Sequence, residues 1–158
     1  MQGPQINQTQ QRRVVGLFDG AREQGATAVF GGGIPAHLEK GFFVEPTLFS
    51  NVTNDMQIAQ EEVFGPVLCV IAHDGDDDAV RIANDSSYGL SGGIHSADHE
   101  RALAVARRIR TGTLSVNGGI WYGADAPFGG YKQSGIGRQC GIEGLEIFTE
   151  TKLVGWPV

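Results

Sequence analysis

The chain has 158 residues, 41% of them hydrophobic and 19% charged, which is the balance of a globular protein and not of a disordered one. Its net charge of −6 argues against a nucleic-acid surface, and no apolar stretch reaches the length of a membrane span. Two cysteines are too few for a disulfide framework, and Met1-Gln2-Gly3-Pro4-Gln5 has neither the basic start nor the apolar core of a signal peptide, so a reducing cytoplasm is the expected compartment.

Residues 7 to 24 read as a helix. Val14, Val15, Leu17, Phe18 and Ala21 recur near helical spacing, with Gln10, Arg12, Arg13, Asp19 and Glu23 on the other side. Gly25 is a plausible terminator. Thr27 to Phe30 reads as a short strand ended by Gly31-Gly32-Gly33. Residues 41 to 49 are β-prone, with Pro46 at an edge or bend. The apolar run Val67-Leu68-Cys69-Val70-Ile71 has the pattern of a buried parallel strand.

The acidic run from Asp74 to Asp78 leads into a helix to Asn84, with carboxylates where a helix N-terminus favours them. Gly89 to Ile94 reads as a glycine-weakened strand. Asp98 starts the clearest helix, carrying an apolar stripe of Ala102, Leu103, Val105, Ala106 and Ile109 up to Arg110. Arg101, Arg107, Arg108 and Arg110 read as its solvated face. Thr113 to Asn117 is a strand, 118 to 141 a glycine-rich loop, 142 to 146 a helical turn, and Phe148 to Val154 a final strand. Strands alternating with helices over short connections imply an α/β fold with a mostly parallel sheet and flanking helices. Residues 1–147 form one body, with no domain boundary visible inside it. Residues 148–158 form a separate terminal strand.

Glycine is over-represented, with 24 residues, roughly twice the usual share. It is densest in Pro127-Phe128-Gly129-Gly130-Tyr131-Lys132-Gln133-Ser134-Gly135-Ile136-Gly137-Arg138, poor material for a helix or strand and suited to a tightly turned loop. This run resembles the C-terminal signature of the aldehyde dehydrogenase family. Other segments resemble that family in the same order along the chain. They are Gly3-Pro4 and the Gln-rich helix after it, Gly41-Phe42-Phe43-Val44-Glu45-Pro46-Thr47, Glu61-Glu62-Val63-Phe64-Gly65-Pro66-Val67, Ala83-Asn84 with Tyr88-Gly89-Leu90, and Val116-Asn117. The series covers essentially the whole chain.

The resemblance implies roles for four residues. Glu62 matches the glutamate that hydrogen-bonds the nicotinamide ribose, a task suited to a carboxylate facing a vicinal diol. Phe64 matches the aromatic beside the nicotinamide ring. Tyr122 and Phe128 fall where aromatics line a substrate tunnel, with Trp121 adjacent. NAD or NADP is the implied cofactor of the complete enzyme, with none expected on this chain alone. A small aldehyde is the implied substrate, and another copy or a complementing N-terminal segment the implied partner.

Other candidates are weaker. Asn117 reads as fixing a loop backbone. Lys132 and Arg138 read as caps of helix ends or bridges between subunits. Cys69, inside an apolar run, is expected to be buried with a raised pKa, and Cys140 has no adjacent His, so neither reads as a nucleophile. His95 and His99 have i, i+4 spacing but no third ligand for a metal. The family's chemistry needs a cysteine thiolate, a glutamate base and an oxyanion-stabilising asparagine. The motifs that carry them are expected upstream of residue 1, together with the dinucleotide-binding domain. No catalytic residue is therefore assigned, and the chain alone is expected to be inactive. A non-catalytic interaction or oligomerisation protein derived from the family is the alternative.

Overall fold

A computed structural model describes residues 2–119 and 123–157. The chain divides into two compact units, residues 1–74 and 75–158. The division falls inside the acidic run, where neither composition nor a Pro/Gly-rich linker announces it.

The first unit sets one helix on a small sheet. Helix α1 (Gln8–Glu23) starts at Asn7, whose side chain accepts a hydrogen bond from the Gln10 amide at 2.9 Å. It ends in a Schellman motif. Gly25 takes φ 101°, its N–H reaches the Arg22 carbonyl, and the Ala26 N–H reaches that of Ala21. Strands β1 (Thr27–Phe30), β2 (Thr47–Ser50) and β3 (Val67–Cys69) follow, with a short helix α2 (Gln57–Gln60) between the last two. β2 is central, antiparallel to β1 and parallel to β3.

Val14, Leu17, Phe18 and Ala21 pack from α1 onto Phe49 of β2, closed by Val44, Val52, Met56, Ile58 and Val63. Phe18 and Phe49 are both 0% exposed and meet edge to face, with ring centroids 5.5 Å apart. β3 corrects the sequence reading. It is parallel, but it lies at the sheet edge and leaves Leu68 64% exposed. The β-prone stretch also shortens to β2, because residues 41–46 make irregular bonds instead, such as Gln5 N–H to the Phe42 carbonyl and Gln11 Nε2 to that of Phe43.

The second unit begins with α3 (Asp76–Asn84). β4 (Tyr88–Gly89) and β5 (Ser91–Ile94) split the single expected strand at Leu90. β4 pairs antiparallel with β7 (Tyr131–Lys132), whereas β5 pairs parallel with β6 (Thr113–Val116) after α4 (His99–Ala106). Among the described residues the three-stranded sheet is mixed, one two-stranded sheet is antiparallel and the other parallel, so parallel and antiparallel pairings occur side by side.

The arginine face of α4 is not simply solvated. Arg101 grips Asp76 through two hydrogen bonds, at 2.6 and 2.8 Å, and Arg108 pairs with Asp77 at 2.6 Å, so the acidic start of α3 is neutralised from α4 and the turn after it. α5 (Gly141–Glu146) follows the glycine-rich loop. Residues 148–157 form no strand within the single chain. Phe148 and Leu153 stand 84% and 93% exposed, and among the described residues a strand at that position has no paired neighbour to supply its ladder.

Candidate functional site

The chain leaves α2 at Glu61 and turns back over α1 before entering β3. Phe64 sits in that turn with φ 50°, a left-handed conformation that costs a residue with a side chain about 1–3 kcal/mol. Three side chains of α1 meet the turn. Gln10 Nε2 donates to the carbonyls of both Val63 and Phe64 at 3.1 Å, and Arg13 Nη1 donates to that of Val63 at 2.9 Å. Val14 packs under Gly65 so closely that a Cβ there would lie 2.8 Å from its Cγ2. Only a residue without a side chain fits. Arg13 also reaches Glu61 at 3.6 Å.

The turn walls a cleft of about 420 Å³ that includes Ile58, Glu62, Phe64, Gly65, Leu68 and Cys69. Two of the sequence-derived candidates, Glu62 and Phe64, therefore line the same cleft. Phe64 is 76% exposed, so its ring is presented and not packed away. Glu62 is exposed, and among the described residues its carboxylate has no hydrogen bond or ion pair. An unpartnered carboxylate can accept two hydrogen bonds from a vicinal diol, while an open aromatic face can hold a flat ring. Burial pushes the Cys69 thiol up from its ordinary value of 9.0, so it is not a ready thiolate.

Phe128 belongs to the second unit, half-buried where its backbone bridges Gln139 at 2.8 and 2.7 Å. Tyr122 and Trp121 lie outside the described residues. Asn117, at φ 55°, accepts from the Ser96 N–H and donates to the Ser96 carbonyl, both at 2.8 Å, which is the backbone-fixing role expected of it. Lys132 caps a helix end, since Nζ donates to the carbonyls of Asn84 and Ser86 at 2.8 Å. Arg138 does not cap a helix. It ties the loop to itself through the carbonyls of Gly130 and Gly137 and stacks 5.5 Å from the Tyr131 ring centroid. Cys140 is exposed, and among the described residues no group of three or more ligating side chains includes His95 or His99.

Gln10 and Arg13 were missed by sequence reasoning, which placed them on the solvent side of α1. Their spacing with Val14 was the available signal, because i, i+3 and i+4 share one helix face.

The sequence profile of the aldehyde dehydrogenase family matches residues 1–154. The chain belongs to the aldehyde dehydrogenase family. It is 43% identical over 153 residues to a betaine aldehyde dehydrogenase of Rhizobium johnstonii, covering 96% of this chain and 31% of that protein. It is 47% identical to a putative aldehyde dehydrogenase of Staphylococcus aureus, covering 96% and 32%. Among solved structures, an aldehyde dehydrogenase of Mycobacterium tuberculosis complexed with NAD+ superposes with a TM-score of 0.88 at 48% identity, covering 99% of this chain and 33% of that one. An NAD+ complex of the enzyme from Bacillus cereus gives 0.88 at 43%, covering 94% and 30%. The chain thus spans about a third of the length of these aldehyde dehydrogenases.

Proposed function

We propose that the chain is a C-terminal part of an NAD(P)-dependent aldehyde dehydrogenase that converts an aldehyde to a carboxylic acid. In this reading it supplies one wall of the cofactor site. Glu62 accepts hydrogen bonds from the ribose diol of the nicotinamide nucleotide, and Phe64 holds the nicotinamide ring in place. The cofactor supplies the hydride acceptor when bound. Tyr122 and Phe128 contribute aromatic surface to the substrate tunnel, which suits an apolar aldehyde chain. The nucleophile, the base and the dinucleotide-binding domain come from sequence other than residues 1–158, so the chain by itself does not oxidise aldehydes. Residues 148–154 pair with a strand outside the chain, in another copy or in the complementing segment.

The observation that carries this reading is the cleft in which the Glu62 carboxylate, unpartnered among the described residues, stands beside an exposed Phe64 ring. The test joins the chain to the upstream two-thirds of a relative and follows aldehyde-dependent NAD(P)H formation. Activity is expected in the assembly and absent from the chain alone. Glu62→Gln should raise the cofactor KM or slow hydride transfer by about tenfold, because a hydrogen bond to a charged group contributes about 1.5–3 kcal/mol. Unchanged kinetics in Glu62→Gln count against the assignment.

A second reading, an interaction protein that uses the family's pairing elements without catalysis, draws on the exposed Phe148, Leu153, Val154 and Trp156. A stable homo-oligomer that gains no cofactor affinity on complementation would favour it.

A further inference from the structure

We propose that Gln10 and Arg13 are positioning residues: from one face of α1 they hold Val63 and Phe64 in the left-handed turn that stands the Phe64 ring out over the cleft. An aromatic residue at φ 50° reverts to an extended or helical backbone unless its surroundings fix it. Here the fixing groups can be named. A glutamine amide carries two N–H donors, and Gln10 bridges the two successive carbonyls of Val63 and Phe64, both at 3.1 Å. Arg13 adds a donor to the Val63 carbonyl at 2.9 Å.

Val14, on the same helix face, closes against Gly65 and leaves the turn no room to slide inward. The far end is held by the sheet, where the Thr47 N–H donates to the Pro66 carbonyl at 2.8 Å, and by a local bond from the Val67 N–H to the Gly65 carbonyl at 2.9 Å. Helix and sheet clamp the turn from its two ends, and Gln10 is the group that meets Phe64 itself. The consequence for cofactor handling rests on the proposed function above; the hold itself does not.

The test is NMR on the isotope-labelled full chain. Gln10→Leu keeps the bulk and removes both donors. Gln10→Lys restores a donor of similar reach. Phe64→Gly removes the cost of the left-handed turn. In Gln10→Leu the strong intraresidue amide–Hα cross-peak of Phe64, which marks positive φ, should weaken. The Thr47 and Val67 amides should exchange about tenfold faster, the loss expected for a hydrogen bond to a constrained carbonyl. The Phe18 and Ala21 amides of α1 should keep their rates. Gln10→Lys should recover most of the change. In the Phe64→Gly background, Gln10→Leu should have a much smaller effect, because there is no strained side-chain residue left to hold.

A Phe64 cross-peak unchanged in Gln10→Leu, or the same acceleration in both backgrounds, overturns the inference. If Gln10→Leu does not fold, Arg13→Leu serves: severalfold faster Val67 exchange supports the hold and an unchanged rate overturns it. A lost turn in Gln10→Leu combined with cofactor handling indifferent to Glu62→Gln would leave this inference standing and remove the cofactor reading.

Discussion

Gly65→Ala is the sharpest test of how α1 and the cleft turn fit together. The added Cβ would lie 2.8 Å from Val14 Cγ2 and 2.9 Å from Cγ1, closer than such carbons approach in practice. Val14 is 0% exposed and sits in the core beside Leu17 and Phe18, so it cannot swing into solvent. Gly65 has no left-handed φ, so the cost is steric and not conformational. Overpacking of this kind destabilises by about 1–3 kcal/mol. Val14→Ala alone removes two buried methyl groups and costs about 2 kcal/mol including the void it leaves. The double variant places the new methyl in that void, so its cost should fall below the sum of the singles by about 1 kcal/mol or more. The assay is urea dependence of amide exchange at Phe18 and Ala21, which reports the first unit directly. A harmless Gly65→Ala, or a strictly additive double variant, would refute the packing argument.

Asn117→Ala should destabilise the second unit by about 1–3 kcal/mol through loss of both bonds to Ser96, and Asn117→Gly should cost less because glycine accepts the positive φ; thermal unfolding compares them. Cys140 should alkylate ahead of Cys69 in native chain, since burial holds the Cys69 thiol protonated. The pH dependence has a definite sign. A thiol pKa raised on folding gives stability that is complete below the unfolded value and is lost as pH climbs through the folded one, so Cys69→Ala should flatten the alkaline limb of the stability curve. If residues 148–154 pair with another copy, deleting residues 148–158 abolishes self-association in sedimentation; a well-folded monomer of the full chain at every concentration would rule that partner out and leave the complementing segment.

The parts of the fold that were legible in the sequence are those fixed by local chemistry. α1 was readable because its apolar spacing and its Gly25 stop agree, and Asp98 marked the start of α4; the Asn7 cap emerged only in the structure. What failed depends on neighbours that a sequence does not show. The run 67–71 has the composition of a buried strand, yet β3 lies at an edge; its parallel direction was foreseen, its partner β2 was not. Gly89 to Ile94 reads as one strand, whereas its two ends bond to different partners, β7 and β6. Of the residues that line the cleft, Glu62 and Phe64, whose cofactor roles are proposals, were singled out through motif resemblance. Gln10 and Arg13 were not, because a polar residue facing backbone carbonyls has the same pattern as one facing water.

The central claim is that the 62–65 turn forms one wall of a nicotinamide cofactor site. The most direct measurement labels this chain alone with 15N, joins it to the unlabelled upstream two-thirds of a relative, and titrates the assembly with NAD+. The account predicts that the perturbed amides cluster at Glu62, Val63, Phe64 and Gly65, and that Glu62→Gln weakens the titration by about tenfold. Perturbations confined to other parts of the chain, with Glu62→Gln titrating as the parent does, would contradict it.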